Sequence, residues 1–313
     1  MLNRTIAPPI KDAVEFNLQL KPCEKFTLDN GVPVYTVDAG TQEVLQMEMV
    51  FYAGNWFEQQ KMIAGTTNYL LKNGTTTKTA FEINEEFEYY GAYCKRACLN
   101  ETAVIHLSSL SKHLDKLLPV IKDMITNSVF SEEELDIYKQ NTKQRLSVQL
   151  KKSDFVAARL IDAYVYGEQH PYGTYTNPED IDVLTTAQLK EFYKQYYVNG
   201  QCVIFVSGKL PADLQQQLND TLGKLSISKP TFTVNAIETK PATQRKYRIT
   251  NDVNGVQGAI RIARDFPNRH HPDFMKIMVL NTLFGGYFGS RLMSNIREDK
   301  GYTYGIHSYV QNH

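Results

Sequence analysis

Few residues of this chain could carry metal or thiol chemistry, and their spacing argues against both. Cys94-x-x-x-Cys98 has a separation that zinc-binding thiolates use. Both cysteines fall in a stretch that reads as a strand with no histidine nearby in sequence, so buried thiols are expected rather than a metal site. With Cys23 and Cys202 they make four cysteines, which fit reduced thiols better than a disulfide framework. The histidines are scattered: His106 suits a strand, His113 a helix start, His170 a turn and His270-His271 a helix entrance. None of them is expected to be a ligand.

At 313 residues the chain exceeds one ordinary domain, and two are expected. Hydrophobic residues make up 42%, enough for sizeable cores. Lys and Arg number 34 against 34 Asp and Glu, so no charge footprint argues for nucleic acid or an anionic membrane. No apolar run approaches the length of a membrane span, and the opening MLNRTIAPPIKDAVEFNLQL lacks a signal-peptide apolar core. A soluble cytoplasmic protein is the default expectation.

The elements that would position any site follow from periodicity. Gly31–Val37 and Leu45–Tyr52 read as strands. A helix from about Ala64 to Lys72 is stopped by Asn73-Gly74. A second, Phe81–Tyr90, is expected to bury Phe81, Phe87 and Tyr90 and to expose Glu82, Glu85 and Glu86. Tyr93–Cys98 and Ala103–Leu107 form a hairpin around Asn100. Helices follow near Lys112–Ser128 and Glu132–Lys152, the latter opened by a capping box of Ser131 and Glu134. Leu189–Tyr197 is a helix capped by Thr185 or Thr186, and its Tyr193, Tyr196 and Tyr197 share a packing face. Gln201–Ser207 is a buried strand closing the first unit.

Residues 1–225 are therefore expected to form a first domain, 226–246 a linker and 247–313 the start of a second. In the second, Val256–Ile262 plays the strand, a helix runs from Pro272 to Leu283, and Ser290–Arg297 follows the break at Gly285-Gly286. A last strand precedes His313, and truncation of the second domain is the expectation.

The stretch Glu58–Thr75 has the length and punctuation of the metal-binding helix of the pitrilysin/insulinase (inverzincin, mitochondrial-processing-peptidase-like) metallopeptidases. The resemblance extends in order through Phe51–Glu58, Asn73-Gly-Thr-Thr76, Glu85–Ala92, His170-Pro-Tyr-Gly173 with Leu184–Lys190, Leu283–Leu292 and Arg297–Tyr304. It implies an α+β fold: a tandem repeat of peptidase-like units, each an antiparallel or mixed sheet with helices packed on one face.

In that family a His-x-x-Glu-His helix holds zinc and supplies the general base. Aligned without a gap, its functional positions fall on Gly65, Asn68 and Tyr69, and the later glutamate ligand falls on Arg145. A guanidinium has no lone pair to donate and opposes a dication. The resemblance therefore implies no cofactor in this chain. Arg297 and Tyr304, by contrast, match the family pair that binds the substrate backbone and its developing oxyanion. Lys95 and Arg96 stand where active relatives carry small or amide residues, which implies a bias towards acidic peptide segments.

The leading expectation is a non-catalytic subunit of a zinc-dependent peptidase, predicted inactive alone. It would lend Arg297 and Tyr304 to a heterodimer partner whose intact His-x-x-Glu-His site holds the zinc, with peptides as substrate. The alternative is a structural or peptide-binding protein with no role in hydrolysis, using the Tyr93–Cys98 edge for strand addition. An active zinc enzyme with displaced ligands is the third reading, and the donor chemistry disfavours it.

Overall fold

The computed structural model describes residues 19–231 and 237–312. The opening 1–18 and part of the expected linker, 232–236, lie outside the described residues. The chain divides into two compact units, one of Met1–Lys151 with Thr174–Ile237 and one of Lys152–Gly173 with Glu238–His313.

The first unit is built on a six-stranded mixed sheet. Its strands are β1 (Glu24–Thr27), β2 (Pro33–Asp38), β3 (Val44–Phe51), β4 (Tyr93–Cys98), β5 (Ala103–Leu110) and β6 (Cys202–Gly208). They lie in the order β1-β2-β6-β3-β5-β4, and only β2 and β6 run parallel. Alternation sets the two faces. Leu45, Met47, Met49 and Phe51 of β3 are buried beside Ile105 and Leu107 of β5 and Ile204 and Val206 of β6. On the opposite face Glu48 of β3 lies opposite both His106 and Phe205, and Phe205 stacks on Tyr35 with ring centroids 5.5 Å apart.

Helices α1 (Ile63–Leu70), α2 (Ala80–Tyr89), α3 (Leu114–Asn127), α4 (Glu132–Gln149), α6 (Pro178–Asp182), α7 (Thr186–Tyr193) and α8 (Leu214–Thr221) belong to the same unit. All but α6 share one apolar core with the buried side of the sheet, α3 supplying Leu117, Leu118, Ile121, Met124 and Ile125. The α+β class is as expected. Thr79 opens α2 with a full capping box to Glu82, and Thr185 opens α7 with one to Gln188. At α4, Ser131 accepts from the Glu134 N–H as expected, while the Glu134 carboxylate takes Asn73 Nδ2 at 2.7 Å. That bond ties the exit of α1 to the entrance of α4.

One expected face is wrong. Phe81 is 73% exposed, and the residues of α2 that bury are Ile83 and Phe87. Four residues apart, these two stack on one side of the helix, whereas Phe81 and Phe87 are six apart and diverge.

The second unit contains α5 (Ser153–Tyr166), α9 (Phe274–Asn281) and π-helical turns at Thr282–Gly286 and Met293–Glu298. The carbonyls of Tyr164 and Tyr166 on α5 accept from Ala242 and Lys240, both at 2.9 Å, and Gly167 ends the helix at φ 93°. The expected strand Val256–Ile262 is not one, nor is the segment before His313. Val256, Ile260 and Ile262 are all exposed. β-propensity describes a fit to a neighbouring strand, and without a ladder partner among the described residues it yields none.

Candidate functional site

α1 reaches its place through a strap. After β3, Asn55 and Trp56 donate to the carbonyls of Leu99 and Asn100 in the β4–β5 hairpin, at 3.2 and 2.8 Å. Gly54 permits that approach, since a Cβ there would lie 2.3 Å from the Asn100 carbonyl oxygen. The strap delivers Glu58 to the start of α1, where backbone N–H groups lack intrahelical partners. Its Oε2 accepts from Ala64 N–H at 3.0 Å, and Met62 N–H also donates to the carboxylate. Burial outweighs these bonds and pushes the Glu58 carboxyl up to about 7. Glu58, Lys61, Met62, Gly65, Cys98 and Tyr175 are among the residues lining a pocket of about 260 Å³.

The five positions expected to match the metal motif lie on α1. Gly65 offers no donor, although a Cβ there would meet nothing within 4 Å. Thr66 and Thr67 are fully buried. Asn68 turns inward: it is 3% exposed, and its Nδ2 donates to Tyr197 Oη at 3.1 Å. Tyr197 is itself buried against Phe51, ring centroids 5.0 Å apart, and burial holds its phenol far above the ordinary range. Tyr193 and Tyr197 confirm the packing face expected of the α7 tyrosines. Tyr69 faces outward at 42% exposure and packs on Tyr138, ring centroids 4.9 Å apart.

The cation that covers this helix comes from a strand and is not the expected Arg145. Arg145 is exposed on α4, its Nη2 donating to Thr142 Oγ1 at 3.2 Å. Arg96 of β4 instead lies over Tyr69, its guanidinium carbon 5.5 Å from the ring centroid. Counting along α4 gave Arg145 its register but not the direction of its side chain. Lys95, one residue before Arg96, pairs in register with His106 on the opposite face, so alternation separates Lys95 from Arg96. His106 Nδ1 lies 3.2 Å from Glu48 Oε1.

The family's zinc does not fit this donor set. A glycine, an inward amide, a ring covered by a guanidinium and an exposed arginine supply no ligands for a dication. Among the described residues no three His, Cys, Asp or Glu side chains are grouped to hold a metal ion. The thiols of Cys94 and Cys98 are pushed up by burial to about 11 and about 12, so neither is a ready thiolate at neutral pH. His170 is buried in a turn, its Nδ1 accepting from Tyr172 N–H at 3.1 Å.

In the second unit the structure brings Arg297 and Tyr304 together. Arg297 Nε donates to the Tyr304 carbonyl at 3.0 Å, and its guanidinium carbon lies 4.8 Å from the Phe288 ring centroid. Gly301, at φ 63°, makes the turn between them, and the Tyr304 side chain is 94% exposed.

Sequence reasoning missed Glu58 and the stacking of Arg96 on Tyr69. Glu58 had a legible signal, an acid just ahead of a helix that starts without a Ser, Thr, Asp or Asn cap. Arg96 had none, because the contact joins a strand to a helix.

No helix of the described residues is long and apolar enough to cross a membrane. Comparison with known proteins adds the ancestry. Residues 34–178 match the family described as Insulinase (Peptidase family M16), and residues 184–313 match the Peptidase M16 inactive domain. An uncharacterized zinc protease, YmxG, of Bacillus subtilis is 23% identical over 296 residues, covering 91% of this chain and 69% of that protein. An uncharacterized zinc protease of Rickettsia felis is 25% identical, covering 90% of this chain and 68% of its own length. The crystal structure of a peptidase M16 inactive domain from Pseudomonas fluorescens superposes with a TM-score of 0.73 at 24% identity, over 93% of this chain and 71% of that one. This chain is a relative of the pitrilysin/insulinase peptidases.

Proposed function

We propose that this chain is a non-catalytic subunit of a zinc-dependent peptidase, a soluble cytoplasmic protein that assembles with an active subunit carrying an intact His-x-x-Glu-His site. Its two units are tandem copies of one peptidase-like fold. Arg297 and Tyr304 bind the peptide backbone and the oxyanion that develops at the partner's zinc. One contrast carries this reading. The positions matching the metal motif hold no zinc ligands, and Asn68 is bonded into the core. Arg297 and Tyr304 stay adjacent, with the Tyr304 side chain open to solvent. A cation with several donors and a phenol suit charge that appears in the transition state.

The test is kinetic. The chain is purified with a subunit bearing the intact motif, and Arg297 is changed to Ala in this chain alone. Peptide hydrolysis by the pair should collapse; unchanged activity refutes the contribution in trans.

The position of β4 favours a second reading, a peptide-binding protein without a role in hydrolysis. β4 forms one edge of the sheet, where an extended peptide can add as a strand. Tight binding with no turnover by any assembled pair would select it.

A further inference from the structure

Arg96 is a charged group in search of an anion. Its side chain is half-buried at the sheet edge, and its Nε is enclosed with no hydrogen-bond partner. Among the described residues no carboxylate forms an ion pair with it. It covers the Tyr69 ring at 5.5 Å, and the nearby Cys94 is a thiol that burial keeps neutral at physiological pH. Lys72 adds a second cation: its Nζ lies 5.0 Å from the Phe87 ring centroid, and burial first, with the charge of Arg96 adding to it, holds its pKa below the ordinary lysine range.

A guanidinium withdrawn from water without acceptors is unfavourable, and a carboxylate that fits its donor fork offsets that cost. The place is also reachable, since Tyr69 keeps 42% of its surface exposed beside the stacked Tyr138. We infer that Arg96, with Tyr69 and Lys72, forms a recognition site for a carboxylate of a bound peptide, at the position where relatives keep their metal helix. The inference rests on the reading that this chain handles peptides and names what it selects in them. Balanced charge on the whole chain, 34 basic against 34 acidic, fits a local carboxylate site rather than a polyanion surface.

The experiment uses the chain alone and needs no hydrolysis. Fluorescence anisotropy compares a labelled flexible peptide containing one central Glu with its Gln twin, each with a free or an amidated C-terminus. The site predicts that a carboxylate tightens binding about tenfold or more. A Glu-over-Gln preference identifies a side-chain carboxylate, and loss on amidation identifies the terminal one. Equal affinity across all four peptides, or no binding of any, overturns the inference. Arg96→Met should erase the preference and raise the melting temperature of the peptide-free chain, because it removes an unpaired buried charge. A lower melting temperature would make Arg96 a support of the fold and overturn the site. Arg96→Lys, which keeps the charge without the fork, should weaken the preference, and full retention counts against it. Loss of hydrolysis in the Arg297→Ala pair with no acid preference sinks this inference and spares the subunit reading; the reverse pattern does the opposite.

Discussion

Residues 65–69 on α1 and the pair Arg297–Tyr304, the two places proposed to correspond to the halves of the family's site, are treated in opposite ways by this chain. On α1, Thr66, Thr67 and Asn68 are sealed in the core, and Asn68 spends its amide on Tyr197. At the other half Arg297 holds the Tyr304 backbone and leaves the Tyr304 ring in solvent. A polar side chain can be taken into packing at little cost where it finds a partner, as Asn68 does, whereas the Thr66 and Thr67 hydroxyls are buried without one. A position that meets a ligand keeps its polar tip outside. The contrast separates a region packed into the core from one left open to solvent.

The most severe test of this contrast rebuilds the lost motif through Gly65→His, Asn68→Glu and Tyr69→His together. Asn68→Glu places a carboxylate beside the buried Tyr197, and the variant should lose about 3–5 kcal/mol of stability, the scale of an uncompensated buried charge. Metal analysis should find no zinc retained, because Arg96 and Arg145 remain; stoichiometric zinc in a stable variant would break the comparison. Arg297→Ala should leave the folding of the first unit unchanged and lower hydrolysis by the assembled pair about a hundred- to a thousandfold, as removal of an oxyanion donor does. Thermal melts and single-turnover rates read the two effects separately.

Glu58 adds a proton dependence to the α1 side. Its folded-state pKa of about 7 exceeds the ordinary 4.5, so between these values the folded chain holds more protons than the unfolded one. Stability should therefore fall by about 3 kcal/mol as pH rises through this window and level off above it. Urea midpoints of Glu58→Gln should lack that slope, and an identical slope in the variant would assign it elsewhere. A smaller effect is expected from Tyr197→Phe. It strands the Asn68 amide in the core and should cost about 1–3 kcal/mol by denaturant titration. Tyr304→Phe should leave stability within about 0.5 kcal/mol, as surface substitutions do. A matching loss at both tyrosines would erase the distinction between core and surface.

Periodicity and capping residues were enough to place most elements of the first unit. β3, α1, the β4–β5 hairpin and α7 lie within a few residues of expectation, because each is specified by local pattern and by Thr or Gly punctuation. The second unit was less legible. α9 occurs, yet none of its residues is buried, and Val256–Ile262 forms no strand despite its composition. Burial and strand pairing are supplied by other elements and cannot be read from the segment itself.

That positions 65, 68, 69 and 145 carry neither an imidazole nor a carboxylate is read from residue type alone, as they are Gly, Asn, Tyr and Arg. Which cation covers Tyr69 was decided by the tertiary structure. Arg96 on β4 and Tyr69 on α1 are 27 residues apart, and only the packing of helix against sheet brings a guanidinium over that ring. The same packing put Asn68 against Tyr197, 129 residues away, and Glu58 at a helix start. Side-chain direction depends on what the opposite element leaves open, and that is a property of the assembled core.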